Sequence, residues 1–239
     1  MHLFYSSDIN HQEIKVGKRY MLPSEEALHA IKVLRLKVGD VVFLTDGKGT
    51  FIRASISNTT KRNCEIEFLE IENDRGKRNF YVHIALAPTK NIKRFDWFLE
   101  KATEMGIDEI TPIITFHSER RDLNIERSNK VITAAMKQSL KAYHPMLNEP
   151  VTFEEFIKNN QQTHKFIAHY ISEEQLLLKN IGDLSNNVVV LIGPEGDFSA
   201  KEVEIAVNAK FIPVSLGNTR LRTETAALAA CFTINLIKQ

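Results

Sequence analysis

The chain of 239 residues lacks the features that mark several whole classes of protein. Its two cysteines, Cys64 and Cys231, are too few and too far apart for a disulfide framework or a zinc knuckle. No stretch approaches about 18 consecutive apolar residues, and the first residues contain no basic segment followed by an apolar run. We therefore expect neither a membrane span nor a signal peptide, and we expect a cytoplasmic location.

Charge of one sign is also missing, because the net charge is only +1 while 26% of the residues are charged and 43% are hydrophobic. These proportions are those of an ordinary globular protein. Basic residues still cluster locally, at Lys90, Lys93 and Arg94, at Arg120 and Arg121, at Lys137 and Lys141, and at Arg220 and Arg222. Each cluster is either a solvated surface or part of a phosphate-binding face.

Several catalytic motifs are incomplete or absent. Gly47-Lys48-Gly49 lacks the third glycine of a dinucleotide-binding loop and is interpreted as a hairpin turn. His117-Ser118-Glu119 matches only the first half of a zinc deaminase signature, since no Pro-Cys-x-x-Cys follows it. None of the eight histidines lies at metal-ligand spacing from another. We expect no metal site and exclude most hydrolases, NTPases and metalloenzymes.

Residues 1–72 are rich in short β-strand patterns separated by tight turns, which predicts a small β-barrel. Three strands are expected, at residues 41–45, 51–56 and 64–71. A short helix is expected at residues 24–34, with Ser24 as its capping residue. Residues 73–79 are polar and have no periodicity, so they are predicted to form a linker.

Residues 80–239 alternate between strand and helix patterns, which predicts an α/β domain with a mostly parallel sheet and helices on both faces. The expected strands are residues 80–88, 110–115, 165–169, 188–192 and 211–216. The expected helices are residues 93–105, 127–142, 199–208 and 223–237. Gly106 suits the residue after a helix, and Ser199 with Glu202 forms a capping-box pattern.

Two glycine-centred loops each follow a predicted strand. The first is Gly193-Pro194-Glu195-Gly196-Asp197-Phe198-Ser199, and the second runs from Leu216 to Ala226 and contains Arg220 and Arg222. In an α/β sheet, ligands bind where strands end at their carboxyl side, and glycines allow a ligand to approach the backbone. Taken singly, the first loop is equally consistent with a plain strand-to-helix turn, and the second with a capped helix bearing exposed arginines.

The order and spacing of the two loops resemble the SPOUT class of methyltransferases and, within it, the ribosomal small subunit methyltransferase E family. The resemblance covers the whole chain. Residues 29–40 resemble the PUA-like RNA-binding barrel of the family, and residues 101–106 resemble its first catalytic-domain helix. It implies a trefoil-knotted parallel sheet, S-adenosylmethionine as cofactor, a homodimer, and methylation of N3 of a uridine in 16S ribosomal RNA within the small ribosomal subunit.

The resemblance also implies which residues form the sites. Cofactor contacts are expected at Ala168, His169, Leu191, Gly193, Pro194, Glu195, Gly196, Leu216, Gly217, Leu221, Arg222 and Thr223. RNA contacts are expected at Arg35, Arg53, Lys93, Arg94, Lys141 and Arg220. Arg222 is the catalytic candidate, because a cation beside the uracil carbonyls favours the N3 anion; its alternative role is to orient the cofactor loop. Glu195 either accepts a proton or holds its loop through backbone N–H groups.

The sequence departs from the family pattern in the helix before Pro145 and in the second loop. Lys141 and Tyr143 stand where many members carry two arginines, and Thr219 stands where an arginine is usual, with Arg220 following. Two alternative functions remain. One is a non-catalytic RNA-binding or ribosome-assembly protein with a degenerate SPOUT domain, and the other is a SPOUT enzyme that modifies transfer RNA or a ribose hydroxyl. The glycines at positions 193, 196 and 217 favour an enzyme.

Overall fold

The computed structural model describes residues 1–10, 12, 14–169, 175–182 and 187–238. The chain divides into two compact units, of which the first contains Met1–Lys77 and Met136–His144 and the second contains Arg78–Ala135 and Pro145–Gln239. Residues 80–239 were all expected to belong to the second domain, whereas residues 136–144 belong to the first unit.

The first unit contains a five-stranded sheet whose order is β1-β3-β4-β5-β2. The strands are β1 (Leu3–Tyr5), β2 (Arg19–Met21), β3 (Val41–Thr45), β4 (Phe51–Thr59) and β5 (Cys64–Glu72). The three strands expected from the sequence are confirmed as β3, β4 and β5. β1 and β2 were not predicted, because three-residue strands are too short to show a period. Alternate residues of β4 and β5, among them Ile56, Ile66 and Phe68, are buried in one apolar cluster.

The predicted helix at residues 24–34 is present but differs in two ways. It consists of α1 (Ser24–Leu28) followed directly by a π-helical turn, His29–Val33. The capping role assigned to Ser24 is wrong: Pro23 is the N-cap residue, with φ −50° and ψ 148°, and no side chain caps the helix. Ser24 is therefore the first helical residue, and its hydroxyl is not placed to accept from the first turn.

Residues 136–144 belong to the first unit because they bind the turn between β3 and β4. The Gly49 N–H donates to the Ala142 carbonyl oxygen at 3.0 Å, and the His144 N–H donates to the Gly47 carbonyl oxygen at 2.9 Å. The Lys137 ammonium also donates to both carboxylate oxygens of Glu26, at 2.6 and 2.8 Å. The interpretation of Gly47-Lys48-Gly49 as a hairpin turn is confirmed, since β3 and β4 pair antiparallel on either side of it.

The second unit contains a seven-stranded sheet in which every strand pair is parallel, as predicted. Its strands are β6 (Tyr81–Leu86), β7 (Glu109–Ile114), β8 (Met146–Leu147), β9 (Val151–Thr152), β10 (His164–Ala168), β11 (Asn187–Ile192) and β12 (Ile212–Val214). The order is β12-β10-β11-β6-β7-β8, and β9 pairs with β7 off this path. β11, a late strand in the sequence, therefore lies in the middle of the sheet, between β10 and β6.

Helices cover both faces of this sheet, which explains the uninterrupted apolar run in β11. The helices are α2 (Ile92–Met105), α3 (Ile125–Gln138), α4 (Phe153–Asn159), α5 (Ala200–Asn208) and α6 (Thr223–Ile237). Val188 and Val190 pack in a cluster with residues of α2 and α6, while Val189 and Leu191 pack in a cluster with residues of α4 and α5. A strand buried on both faces has no polar side to alternate with.

The ends of the helices follow local signals in some places and tertiary contacts in others. Gly106 ends α2 with φ +94°, and the Ser199–Glu202 capping box starts α5, so both predictions are confirmed. The helix expected to reach residue 142 instead ends at Gln138, since Leu140 adopts φ +55° as the chain turns toward the β3–β4 hairpin. α4 was not predicted. In the described part of the chain, no helix is both long and apolar enough to cross a membrane.

Candidate active site

The carboxyl ends of four neighbouring strands lie at the same level of the parallel sheet. Leu86 of β6 is paired with Ile192 of β11, Ile192 with Ala168 of β10, and Ala168 with Val214 of β12. The loops that follow these strands therefore leave from a single edge, which we call the loop edge. In α/β proteins this is the position where ligands bind.

The loop after β11 is a tight turn that needs small residues. The Asp197 N–H donates to the Pro194 carbonyl oxygen at 2.9 Å, and Asp197 adopts the left-handed conformation with φ +61°. A Cβ atom on Gly193 would lie 3.2 Å from the Phe198 ring, so a larger residue there would displace the ring. Gly193 and Pro194 are buried, while Glu195 and Gly196 are exposed at the tip of the turn.

Side chains and backbone groups from three other loops hold this turn. The His169 Nδ1–H donates to Asp197 Oδ2 at 2.8 Å, and the His117 Nδ1–H donates to the Asp197 carbonyl oxygen at 3.0 Å. Glu195 Oε1 accepts from the Lys90 N–H at 3.2 Å. Glu195 thus binds a backbone N–H group, which matches the loop-holding alternative considered for it. The Lys90 side chain pairs instead with Glu119, which raises the pKa of its ammonium.

A buried carboxylate joins the loop after β11 to the loop after β7. Glu202 Oε2 accepts from the backbone N–H of Ser199 at 2.8 Å and from its hydroxyl at 2.7 Å. Glu202 Oε1 accepts from the Phe116 N–H at 2.8 Å. The residue is only 5% exposed, so these bonds form where water competes weakly. Glu202 therefore fixes two loops of the edge relative to each other.

The loop after β12 lines a pocket of about 310 Å³. The lining residues are Leu177, Leu178, Lys179, Ser215, Leu216, Gly217, Asn218 and Thr233. Ser215 is held by the Leu178 N–H, which donates to its carbonyl oxygen at 2.9 Å, and its own N–H donates to the Leu176 carbonyl oxygen. Gly217 adopts φ +130°, and, its chain neighbours apart, no atom of the described residues lies within 4 Å of the position where its Cβ would be. A ligand in the pocket can therefore approach the backbone of Gly217 closely.

Helix α6 begins beside this loop with Arg222 as its N-cap residue. Arg222 is exposed and its side chain makes no capping hydrogen bond, while Leu221 is half-buried and Thr223 is buried. Glu224 follows in the first turn with a side chain only 8% exposed, and its Oε1 lies 3.8 Å from Arg94 Nε. Its Oε2 atom has no hydrogen-bond partner among the described residues. The start of α6 thus holds a buried carboxylate oxygen that no hydrogen bond from the described residues satisfies.

The expected cofactor residues other than Leu191 lie at the loop edge or on loops that leave it, and two of them, Leu216 and Gly217, line the pocket. Ala168 and His169, the Gly193–Gly196 turn, Leu216 and Gly217, and the segment from Leu221 to Thr223 all belong to the loop edge. The Leu191 side chain is fully buried in the cluster facing α4 and α5. Any contact that Leu191 makes with a ligand must come from its backbone.

The expected RNA residues fall into two groups. In the first unit, Arg35 is exposed with φ +55°, Arg53 pairs with Glu70 at 2.7 Å, and Lys141 is half-buried. In the second unit, Lys93 and Arg220 are exposed, and Arg94 lies near Glu224. The two paired arginines already have carboxylate partners. RNA phosphates would compete with those carboxylates for Arg53 and Arg94.

Sequence reasoning missed the loop after β7. His117 was dismissed together with the incomplete zinc motif, yet it binds the backbone of Asp197. A Cβ atom on Gly196 would lie 3.1 Å from the His117 Cβ, so the two loops are in direct contact. The available signal was position, because residues 115–121 directly follow a strand of the parallel sheet and, apart from Phe116, are polar.

Comparisons with known proteins agree with this geometry. Residues 77–235 match a family model described as an RNA methyltransferase domain, and residues 22–69 match one described as an RNA methyltransferase PUA domain. A relative from Rickettsia conorii named Ribosomal RNA small subunit methyltransferase E is 30% identical over 220 residues, covering 90% of this chain and 89% of the relative.

Two solved structures extend the likeness to the fold. A probable rRNA-methyltransferase from Porphyromonas gingivalis is 38% identical with a TM-score of 0.89, covering 100% of this chain and 98% of that one. A Ribosomal RNA small subunit methyltransferase E from Neisseria gonorrhoeae, bound to S-adenosyl methionine, is 26% identical with a TM-score of 0.89, covering 99% and 97%. The expected SPOUT-type fold with a PUA-like N-terminal domain is confirmed. The chain belongs to the ribosomal RNA small subunit methyltransferase E family of RNA methyltransferases.

Proposed function

We propose that this protein transfers a methyl group from S-adenosylmethionine to N3 of a uridine in 16S ribosomal RNA. The observation that carries the proposal is the loop edge, where loops after β10, β11 and β12 leave the sheet at one level. Family membership supports the reaction class, and the Neisseria gonorrhoeae relative is described with S-adenosyl methionine bound.

The residues of the loop edge fit this cofactor. The pocket of about 310 Å³ lies within the range of roughly 300–1,000 Å³ typical of small-molecule sites. At Gly217 the open space where a Cβ would lie allows a flat adenosine to rest on the backbone. Leu178 and Leu216 offer apolar surface nearby. Glu224 does not line this pocket, but its buried Oε2, which has no hydrogen-bond partner among the described residues, would be stabilised by a positive charge nearby, such as that of S-adenosylmethionine.

The proposed cofactor residues are those that the sequence indicated, with Leu191 restricted to its backbone. They are Ala168, His169, Leu191, Gly193, Pro194, Glu195, Gly196, Leu216, Gly217, Leu221, Arg222 and Thr223. His169 and Glu195 act mainly by fixing the turn after β11, because both are engaged in its hydrogen bonds.

In the proposed mechanism the protein positions reactants and stabilises charge. When bound, S-adenosylmethionine supplies a methyl group that its sulfonium already activates. Methylation at N3 requires the uracil to lose its N3 proton, and a cation beside the carbonyl oxygens stabilises the resulting anion. Arg222 is exposed, makes no capping bond and follows the loop that lines the pocket, so we assign it this role. The base must be unpaired, since pairing would occupy N3.

RNA binding is proposed to use both units. Phosphates flanking the target would contact Arg35, Arg53 and Lys141 in the PUA-like unit, and Lys93, Arg94 and Arg220 in the catalytic unit. Phosphate contacts position a protein on RNA without reading its sequence. The substrate is proposed to be the RNA of the small ribosomal subunit.

We also propose a homodimer, because α6 is apolar on its exposed side as well as its buried side. Phe232 is 46% exposed and Leu236 is 52% exposed on this helix, while Ala227, Ala230 and Ile234 are buried. A second copy would cover the exposed apolar residues. The trefoil knot stays a prediction from the resemblance, and the cytoplasmic location stays a prediction from the sequence composition.

Titration of the full chain with S-adenosylmethionine by calorimetry tests the proposal. We expect saturable binding with about one site per subunit. If well-folded protein does not bind the cofactor, either alone or with small-subunit RNA present, the non-catalytic RNA-binding alternative replaces the enzyme. If the cofactor binds but the methyl group reaches transfer RNA or a ribose hydroxyl, the substrate assignment is wrong.

A further inference from the structure

Phe116 is an apolar side chain that the structure leaves in solvent. It is 73% exposed, more than any other large hydrophobic residue in the described part of the chain, where Val16 and Val33 follow at 65%. Its ring contacts the His117 ring edge-on, with centroids 5.0 Å apart. Single exposed apolar side chains are common on protein surfaces, so the exposure of Phe116 gains meaning only from the fixed backbone below it and the loops beside it.

The backbone beneath this exposed ring is tightly fixed. The Phe116 N–H donates to the buried carboxylate of Glu202 at 2.8 Å. On either side, the Thr115 N–H donates to the Ser118 hydroxyl at 2.9 Å, and the Ser118 N–H donates to the Thr115 carbonyl oxygen at 3.2 Å. An aromatic ring mounted on a fixed turn loses little conformational freedom when it binds a partner.

The turn that carries Phe116 adjoins the proposed catalytic loops. His117, the next residue, donates to the Asp197 carbonyl oxygen at 3.0 Å and packs against Gly196. Arg121, further along the same loop, is exposed and forms no ion pair with a described residue. An exposed aromatic ring with an exposed cation five residues further along the same loop is the chemistry that binds unpaired bases and their phosphates.

We propose that the Phe116 ring is a stacking surface for an unpaired base of the RNA substrate, with Arg121 contacting the adjoining phosphate. The inference rests on the proposed function, since it names a residue that positions the RNA for methylation. Phe116 is not placed in the cofactor pocket and takes no part in the chemical step. A second copy of the chain is the competing occupant, but the exposed apolar residues assigned to the dimer lie on α6, not on this loop.

Four proteins test the proposal: the wild type, Phe116→Ala, Phe116→Leu and Phe116→Trp. Each is titrated against a short single-stranded RNA oligonucleotide that carries 2-aminopurine, whose fluorescence falls when the base stacks. We expect Phe116→Ala to weaken binding about 5- to 150-fold, which corresponds to the roughly 1–3 kcal/mol of base–aromatic stacking. Phe116→Trp should retain affinity and quenching. Phe116→Leu is the matched control, because it keeps apolar area but removes the aromatic face, and it should bind almost as weakly as Phe116→Ala.

Further measurements distinguish failure of this inference from failure of the proposed function. S-adenosylmethionine affinity should be the same in all four proteins, and KM for small-subunit RNA should rise in the alanine and leucine variants more than kcat falls. If the wild type methylates RNA and Phe116→Ala matches it within twofold in affinity and KM, the stacking role is wrong. It is also wrong if Phe116→Leu behaves like Phe116→Trp, or if Phe116→Ala converts a dimer to a monomer. A wild type that binds neither cofactor nor RNA would instead refute the proposed function.

Discussion

The substitution Glu202→Gln preserves the size and shape of the side chain, yet it should strongly destabilise the second unit. The carboxylate accepts three hydrogen bonds, from the Phe116 N–H and from the N–H and hydroxyl of Ser199. Glutamine has one acceptor oxygen, so its amide nitrogen must face one of these donors and leave it unsatisfied in a site that is 5% exposed. Hydrogen bonds to a charged group contribute about 1.5–3 kcal/mol, and an orphaned buried donor costs about 1–3 kcal/mol. We expect a loss of about 2–4 kcal/mol.

The chain supplies a matched control in its second capping box. Glu155 accepts only from the N–H and hydroxyl of Thr152, and it is exposed, so Glu155→Gln should cost no more than about 1 kcal/mol. Urea unfolding followed by tryptophan fluorescence measures both variants, because Trp97 is the single tryptophan and lies in the same unit. If the two variants show equal and small changes in the free energy of unfolding, the hydrogen bond between Phe116 and Glu202 does not hold the two loops together.

Three further outcomes are expected. Arg222→Ala should abolish turnover while leaving the melting temperature within about 1–2 °C of the wild type, because the side chain makes no capping bond; normal turnover would remove Arg222 from the mechanism. Gly217→Ala should weaken S-adenosylmethionine binding about tenfold, since its φ of +130° costs an alanine about 1–3 kcal/mol; Gly39→Ala, at φ +94° in the first unit, should leave that affinity unchanged. Burial lowers the pKa of the His83 imidazole to about 3, from the usual value of about 6.5. Between these two pH values the unfolded chain therefore binds a proton at His83 that the folded chain does not bind. Stability should therefore fall by about 2 kcal/mol from pH 7 to pH 5, and thermal unfolding of His83→Gln should lack that part of the loss.

Short sequence patterns were sufficient to predict the features that depend on one helix or strand alone. α6 spans Thr223–Ile237 as expected. The polar loop before it marks its start, and its apolar composition continues to its end. The alternation of strand and helix patterns was enough to predict the parallel sheet. The rule that ligands bind at the carboxyl ends of strands was enough to predict which loops form the candidate site. The Ser199–Glu202 capping box was visible as a spacing of three residues.

Contacts between distant segments could not be predicted in the same way. Residues 139–142 were expected to continue the helix, but the hydrogen bonds of Ala142 and His144 to Gly49 and Gly47 and the positive φ of Leu140 end the helix at Gln138. Glu202 was expected only to cap α5, and its bond to Phe116 depends on two loops separated by more than eighty residues. His83 is an ordinary strand residue in sequence, and the lowering of its pKa depends on burial, to which the packing of α4 over β6 contributes.

The central claim is methylation of a uridine at N3, and analysis of the product tests it most directly. Purified protein is incubated with S-adenosylmethionine and with 16S ribosomal RNA, either free or in small subunits, that lacks the modification. The RNA is then digested to nucleosides and analysed by mass spectrometry. We expect 3-methyluridine to appear with the wild type and not with Arg222→Ala. Folded, cofactor-binding protein that yields no 3-methyluridine, or that methylates a different atom, would contradict it.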